Sequence, residues 1–193
     1  MPEPRDIPLV RWGEELRRHR RAGRTARLRI LLTIAAALAG TAAAATLLWP
    51  PRPVLVWNVS ASSPLGLYRV SPAGNVRPGA TVVALAPAAA RVLAGKRGYI
   101  PSSVPLVKHV AAARGDRVCA AGEAVFVNGR LAGSRRSEDA AGRSLPWWTG
   151  CKDLKDGELF LLTAAGPASF DGRYFGVTEP GDVVGRARLL WSR

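Results

Sequence analysis

Histidine and cysteine each occur twice in this chain, and methionine once, among 193 residues. His19 falls in an arginine-rich N-terminal stretch and His109 is the only other imidazole, which excludes a metal centre built on several histidines. Cys119 and Cys151 have neither C-x-x-C spacing nor neighbouring histidines, so zinc is not indicated, and nothing in the sequence asks for a metal or other cofactor. Acids are scarce too. With 14 Asp and Glu against 28 Lys and Arg, the net charge is +14, which excludes an acidic or charge-balanced protein. No repeat of about 20–50 residues is visible, which excludes solenoids and propellers. Apolar residues, by contrast, are plentiful: 48% hydrophobic and 22% charged is globular usage despite 20 Gly and 15 Pro. The length suits one folded domain with an appended segment.

The positive charge is uneven. Residues 1–29 hold nine arginines and four acids, a net of +5, and the remainder carries +9. Residues 30–49 then read ILLTIAAALAGTAAAATLLW without a charge, and about 20 such residues cross a hydrocarbon core of about 30 Å. A cleavable signal peptide has a short basic region and an apolar run of about 7–15 residues, so this segment reads as an uncleaved transmembrane signal anchor. Its many alanines, with an A-x-A-like site at Ala43, Ala44 and Ala45, leave a cleaved leader open, and a buried soluble helix is the third reading. For an anchor, the positive-inside rule makes residues 1–29 a cytoplasmic tail and exports residues 50–193 across the inner membrane.

Export has consequences for the cysteines and for the charge. In an oxidising compartment Cys119 and Cys151 are expected to bridge, closing a loop of about 32 residues, with two free buried thiols as the alternative. The exported basic charge suits anionic lipid headgroups. Nucleic-acid binding needs aromatic rings interleaved with the basic residues, and residues 1–29 offer only Trp12, so no nucleic-acid partner is expected.

Pro50, Pro51 and Pro53 end any helix after the apolar run. Beyond them, hydrophobic patterning predicts strands over residues 54–57, 80–86, 106–111, 117–119, 124–127, 130–132, 158–163 and 182–191, and one short helix over 86–94. Asn128-Gly129 suits the positive φ angles of a two-residue hairpin turn. The exported part is therefore expected to be a single mainly β domain. Trp147-Trp148 reads equally as a membrane-interface contact and as core packing.

Two segments carry chemistry. Leu106-Val107-Lys108-His109-Val110 reads as a strand that places Lys108 on the face of Leu106 and Val110, with His109 on the other. Desolvation between aliphatic neighbours lowers a lysine's pKa toward the range where its neutral amine acts as a general base. The alternative is an edge-strand lysine that guards against aggregation. Residues 57–69, WNVSASSPLGLYR, run from a strand into a turn rich in Ser, Pro and Gly, which alone is a common loop.

Together these segments form an ordered pattern. Asn58-x-Ser60-x-Ser62-x-Pro64-x-Gly66-x-Tyr68 is followed by Pro105-Leu106-Val107-Lys108 and Gly115-Asp116-Arg117-Val118-Cys119, then by Ser169-Phe170-Asp171-Gly172-Arg173-Tyr174-Phe175-Gly176. The pattern resembles the type I signal peptidase family with a Ser-Lys dyad, most nearly its conjugative-transfer branch, the TraF-type pilin-processing peptidases. The likeness covers most of residues 54–191. It implies a signal-peptidase-like β-strand catalytic domain on a single N-terminal transmembrane helix. It further implies Ser62 as nucleophile, Lys108 as general base, and Ser60 as the hydroxyl that joins the Ser62 backbone N–H in the oxyanion hole. Ser169 would orient the lysine, and Asp171 and Arg173 would be a structural ion pair beside the site. The chain departs from the pattern at Gly172, often Ser in the family, and at Ser63, usually Met or Leu, which puts a second hydroxyl beside Ser62.

The implied chemistry is coherent. A serine hydroxyl attacks only when a base removes its proton, and a lysine kept neutral by burial suffices. A lactamase-type S-x-x-K is absent, since Leu65 stands three residues after Ser62. The resemblance thus implies a membrane-anchored serine endopeptidase that removes the signal peptide from a membrane-bound precursor, in this branch a conjugative pilin, with cyclisation of the product in some members. A housekeeping signal peptidase is the alternative within the family. Outside it stands a non-catalytic membrane-anchored secretion subunit whose serines are only turn residues.

Overall fold

The computed structural model of the protein describes residues 8–48, 53–163, 166 and 169–193. It divides into two units, Met1–Pro51 and Arg52–Arg193. In the first, helix α1 (Pro8–Leu48) carries both the arginine-rich stretch and the apolar run. No proline follows Pro8 within it, and Ala, Leu and Arg are good helix formers. Its stretch Arg27–Leu48 is long and apolar enough to cross a membrane, with a mean hydropathy of 2.0. Thr33, Thr41 and Thr46 donate their hydroxyls to the carbonyls of Ile30, Leu38 and Ala43, which satisfies the polar groups of that stretch within the helix itself. Residues 1–7 of the expected tail, Trp49 at the end of the expected span, and Pro50 and Pro51 lie outside the described residues.

The second unit is mainly β. In chain order it comprises β1 (Leu55–Asn58), β2 (Gly66–Ser71), β3 (Thr81–Ala84), α2 (Ala88–Lys96), β4 (Leu106–Ala112), β5 (Arg117–Ala121), β6 (Ala124–Val127), β7 (Arg130–Ser134), β8 (Gly150–Asp153), β9 (Phe160–Leu162), α3 (Gly172–Phe175) and β10 (Val183–Ser192). Six strands form one sheet in the order β1-β2-β10-β3-β4-β9, and four form another in the order β7-β6-β5-β8. Every pairing is antiparallel. Phe160 and Leu162 of β9 and Ala112 of β4 pack with Val118, Ala120 and Val125 of the smaller sheet, which joins the two sheets through one apolar cluster.

Local chemistry accounts for the turns. Asn128 (φ 50°) and Gly129 (φ 77°) take the left-handed conformations of the hairpin turn expected between β6 and β7. Cys119 of β5 stands directly opposite Cys151 of β8, and the two form a disulfide. The short helix begins two residues later than expected, because Pro87 occupies the N-cap position and the helix runs on to Lys96.

Three elements escape hydrophobic patterning. Strand β2 opens on Gly66, which reads as turn material, yet a Cβ there would lie 2.0 Å from the Trp191 carbonyl oxygen, so the glycine admits the close approach of β10. Strand β8 has the polar sequence GCKD and little apolar signal. The third block contains a helical turn, α3, whose N-cap is Asp171.

The tryptophan pair also separates. Trp148 meets Phe160 edge-on, with centroids 6.0 Å apart, and its Nε1 donates to the carbonyls of Gly172 and Arg173, so it is packing for the third block. Trp147 lies under the Arg135 guanidinium, 4.1 Å from the ring centroid. The exposed aromatic pair is Trp57 with Trp191, centroids 5.5 Å apart, on paired strands β1, β2 and β10.

Candidate active site

Lys108 is an interior lysine. β4 lies between β3 and β9, so it is no edge strand, and Lys108 retains only 3% exposure. Burial pushes its pKa down to about 8, an effect that the nearby Asp171 carboxylate opposes and the Arg173 guanidinium reinforces. Its Nζ donates to Ser169 Oγ at 2.7 Å. On the other face of the strand, His109 meets Thr81 Oγ1 through Nδ1 at 3.2 Å.

The serine-rich turn is folded around Asn58, the last residue of β1. Its side-chain oxygen accepts from the Ser60 N–H at 3.1 Å and from the Ser60 hydroxyl at 2.9 Å. Its amide nitrogen donates to the carbonyls of Ser60, Ser63 and Pro64 at 2.9, 3.0 and 3.1 Å. Tyr68 of β2 donates its hydroxyl to the same Pro64 carbonyl at 2.8 Å, so the turn is clamped from both flanking strands.

This clamp sets the two adjacent hydroxyls apart. Ser62 Oγ is 2.8 Å from Ser60 Oγ and donates to the Val107 carbonyl at 3.3 Å. Ser63 is buried at 5% exposure, with its hydroxyl on the same carbonyl at 3.2 Å. Ser60, Ala61, Ser62, Leu106, Lys108, Ser169, Tyr99, Ile100 and Phe170 line one groove of about 320 Å³, and Ser63 does not reach it. Among the described residues no hydrogen bond joins Ser62 to Lys108 directly.

A buried ion pair supports the floor. Asp171 is fully buried and accepts from Arg173 Nε at 2.9 Å, Arg173 Nη2 at 2.7 Å, the Arg173 N–H at 3.1 Å and the Thr163 N–H at 3.0 Å. Such a pair is held by its full complement of hydrogen bonds rather than by charge alone. Thr163, one residue past β9, then donates its hydroxyl to the Ser62 carbonyl, which connects the ion pair to the backbone of the serine turn. Arg135, 1% exposed, bonds the Gly122 carbonyl through Nε and Nη2 and the Arg173 carbonyl through Nη1, fastening the smaller sheet to the same block.

The structure thus gathers Ser60, Ser62, Lys108 and Ser169 at one groove, with Asp171 and Arg173 behind them. Cys119 and Cys151 lie apart, in the smaller sheet. Sequence reasoning missed the roles of Asn58, Thr163 and Arg135. Asn58 stood in the quoted pattern without a function, Thr163 was only the end of an expected strand, and Arg135 was one arginine among many. No group of three or more His, Cys, Asp or Glu side chains is placed to hold a metal among the described residues.

Comparison with known proteins gives this arrangement a lineage. Residues 27–192 match the family described as signal peptidase, peptidase S26. A plasmid transfer protein TraF of Escherichia coli is 36% identical over 147 residues, covering 69% of this chain and 82% of that protein. A second TraF from Escherichia coli is 34% identical over 146 residues, with the same coverage of 69% and 82%. Among solved structures, a signal peptidase I from Enterococcus faecalis V583 aligns with a TM-score of 0.35 and 17% identity, covering 59% of this chain and 97% of that one. The chain belongs to the signal peptidase S26 family, serine-type hydrolases of peptide bonds.

Proposed function

We propose that the protein is a membrane-anchored signal peptidase that cuts with a Ser62-Lys108 dyad. The observation that carries this reading is Lys108 itself: a lysine buried to 3% exposure, held by Ser169 and brought toward neutrality, in the groove that Ser62 lines. As the Ser62 hydroxyl turns from the Val107 carbonyl toward Nζ, Lys108 takes its proton and the alkoxide attacks the scissile carbonyl carbon. The Ser62 N–H, and the Ser60 hydroxyl once it turns from Asn58, stabilise the oxygen on which charge develops. Collapse breaks the C–N bond, Lys108 returns the proton to the leaving amine, and an ester on Ser62 remains. Water, deprotonated by the same lysine, resolves that ester. Ser63, buried and outside the groove, is not the nucleophile in this scheme.

The membrane reading rests on two features of different units. Arg27–Leu48 has the length of a span. In the catalytic unit, Leu55 and Trp57 of β1, Val59 and Leu65 of the serine turn, and Leu190 and Trp191 of β10, which pairs with β2, are exposed, Val59 to 79%. Tryptophan and large aliphatic side chains favour the membrane interface, and anchoring both enzyme and precursor raises their effective concentration. The arginine-rich start favours a cytoplasmic N-terminus and an exported catalytic unit at the inner membrane.

For the substrate, we infer a pilin precursor of a plasmid transfer system, a reading supported by the identity with plasmid transfer proteins. The experiment uses the full chain in detergent micelles with a signal-bearing pilin precursor. Ser62→Ala and Lys108→Met are expected to abolish cleavage and Ser63→Ala to retain it. Intact mass of the product distinguishes water from the pilin's own amino end as the acceptor, since cyclisation leaves it one water lighter than the linear form. Cleavage that survives in Ser62→Ala overturns the dyad.

A further inference from the structure

A second cavity shares a wall with the catalytic groove. It measures about 360 Å³ and is lined by Tyr99, Leu145, Phe170, Tyr174, Ala140 and the acidic pair Glu138 and Asp139, with Arg136 at the same lining. Tyr99 and Phe170 line both spaces, so whatever occupies the groove lies one aromatic layer from this cavity.

The cavity is rigidly built. Tyr99 and Phe170 pack at 5.5 Å between centroids, and Phe170 stacks on Tyr174 at 6.0 Å with their planes 10° apart. The Tyr99 hydroxyl donates to Asp139, which also takes Arg143 Nε at 2.7 Å and lies 3.8 Å from Arg97 Nη1. Arg97 donates in turn to the Ser144 carbonyl at 2.8 Å, tying the loop of Ala140 and Leu145 to the segment of Tyr99. With Asp139 satisfied by these partners, what is presented inward is chiefly ring and aliphatic surface. Glu138 and Arg136 add one charge of each sign to the lining, and the aromatic walls of Tyr99, Phe170 and Tyr174 suit a large apolar side chain, which gains from both desolvation and ring contact.

We infer that this cavity is a specificity subsite that seats one large aromatic or aliphatic side chain of the precursor, away from the residues at the scissile bond. This rests on the peptidase reading above. The occupant is a side chain of the same polypeptide that lies in the groove, because the two spaces are neighbours on either side of Tyr99 and Phe170. A substrate with a small residue at that position binds through the groove alone.

The test is a set of internally quenched dodecapeptides with alanines before the scissile bond and one Phe walked through the remaining positions, cleaved by the full chain in micelles. One position is expected to favour Phe over Ala by about 10-fold in kcat/KM. Ala140→Trp, which fills the cavity, and Leu145→Asp, which makes it polar, should each remove that preference while the all-alanine parent is cut within twofold of the unsubstituted rate. Parent turnover also reports that the variants are folded. If no position favours Phe, or if the preference survives both substitutions, the subsite is overturned and the peptidase reading stands. If the unsubstituted enzyme cuts none of the peptides, the peptidase reading fails and takes the subsite with it.

Discussion

The Asn58 side chain accepts both the N–H and the hydroxyl of Ser60 on one oxygen, while its amide nitrogen serves three carbonyls of the same turn. This single buried amide therefore holds the turn that presents Ser62. Asn58→Ala takes this partner from the Ser60 N–H and from the Ser60 and Ser63 carbonyls, while Pro64 keeps the Tyr68 hydroxyl, at a cost of roughly 1–3 kcal/mol in stability. It also loosens the turn, and displacement of a reacting group by about an ångström costs on the order of 100-fold in rate. Asn58→Asp is the sharper variant: it keeps the acceptor for Ser60 but turns an oxygen toward three carbonyl oxygens, so it should do at least as badly at neutral pH. Thermal melting with kcat/KM checks both, and an unchanged kcat in folded Asn58→Ala would show that the clamp does not position Ser62.

In the proposed mechanism Lys108 sets the pH dependence. With its pKa pushed down to about 8 by burial, the base form fills as pH rises, so kcat/KM should climb tenfold per pH unit below about 8 and level off above it. Stability follows the same group. The unfolded lysine, with its ordinary pKa near 10.4, holds its proton longer than the folded one. The native state is therefore disfavoured by roughly 3 kcal/mol below pH 8, a penalty that fades as pH rises from about 8 to beyond 10. Lys108→Met should abolish cleavage yet melt no lower than the parent at pH 7. A flat activity profile between pH 6 and 9 would count against the lysine base.

The legible part of this protein is the part that local pattern carries. β4 and its lysine could be anticipated because aliphatic residues flank Lys108, and the Asn128-Gly129 turn because few residues tolerate two successive positive φ angles. The blocks containing Ser60, Ser62 and Ser169 stood out as ordered short patterns. What stayed hidden is tertiary. Neither the partner of Thr163 nor that of Arg135 leaves a mark in its own neighbourhood, because Thr163 meets the Ser62 carbonyl 101 residues away and Arg135 meets Arg173 38 residues away. Trp147-Trp148 shows the same limit: Arg135 lies over both adjacent rings, and only the contact of Trp148 with Phe160 and with the third block tells them apart.

The Cys119–Cys151 bridge joins β5 to β8 in the smaller sheet, and neither residue lines the groove of Ser62 and Lys108. Its loss should therefore act on stability and leave the chemistry alone. For a loop of 32 residues, the chain-entropy model gives a loss of about 3–4 kcal/mol. Replacing both cysteines by alanine should lower the denaturant midpoint accordingly, with kcat per folded molecule within twofold. A collapse of kcat without a stability change would reverse this assignment.

Gly172 is, with Ser63, one of the two positions at which the chain departs from the pattern that it resembles, and the packing around it accounts for a glycine there. A Cβ there would lie 2.7 Å from the Leu161 carbonyl oxygen and 2.8 Å from the Phe160 ring, and neither can give way, since Phe160 is fully buried in the cluster that joins the sheets. The residue sits between Asp171 and Arg173, so any shift passes to the ion pair and through Thr163 to the Ser62 carbonyl. Gly172→Ser should destabilise by about 1–3 kcal/mol, as overpacking of a filled core does, and should lower kcat more than it raises KM. Phe160→Leu in the same chain removes the ring that meets the new side chain and should recover part of both losses. A double variant no better than Gly172→Ser alone would mean that the Leu161 backbone, not the ring, excludes the serine.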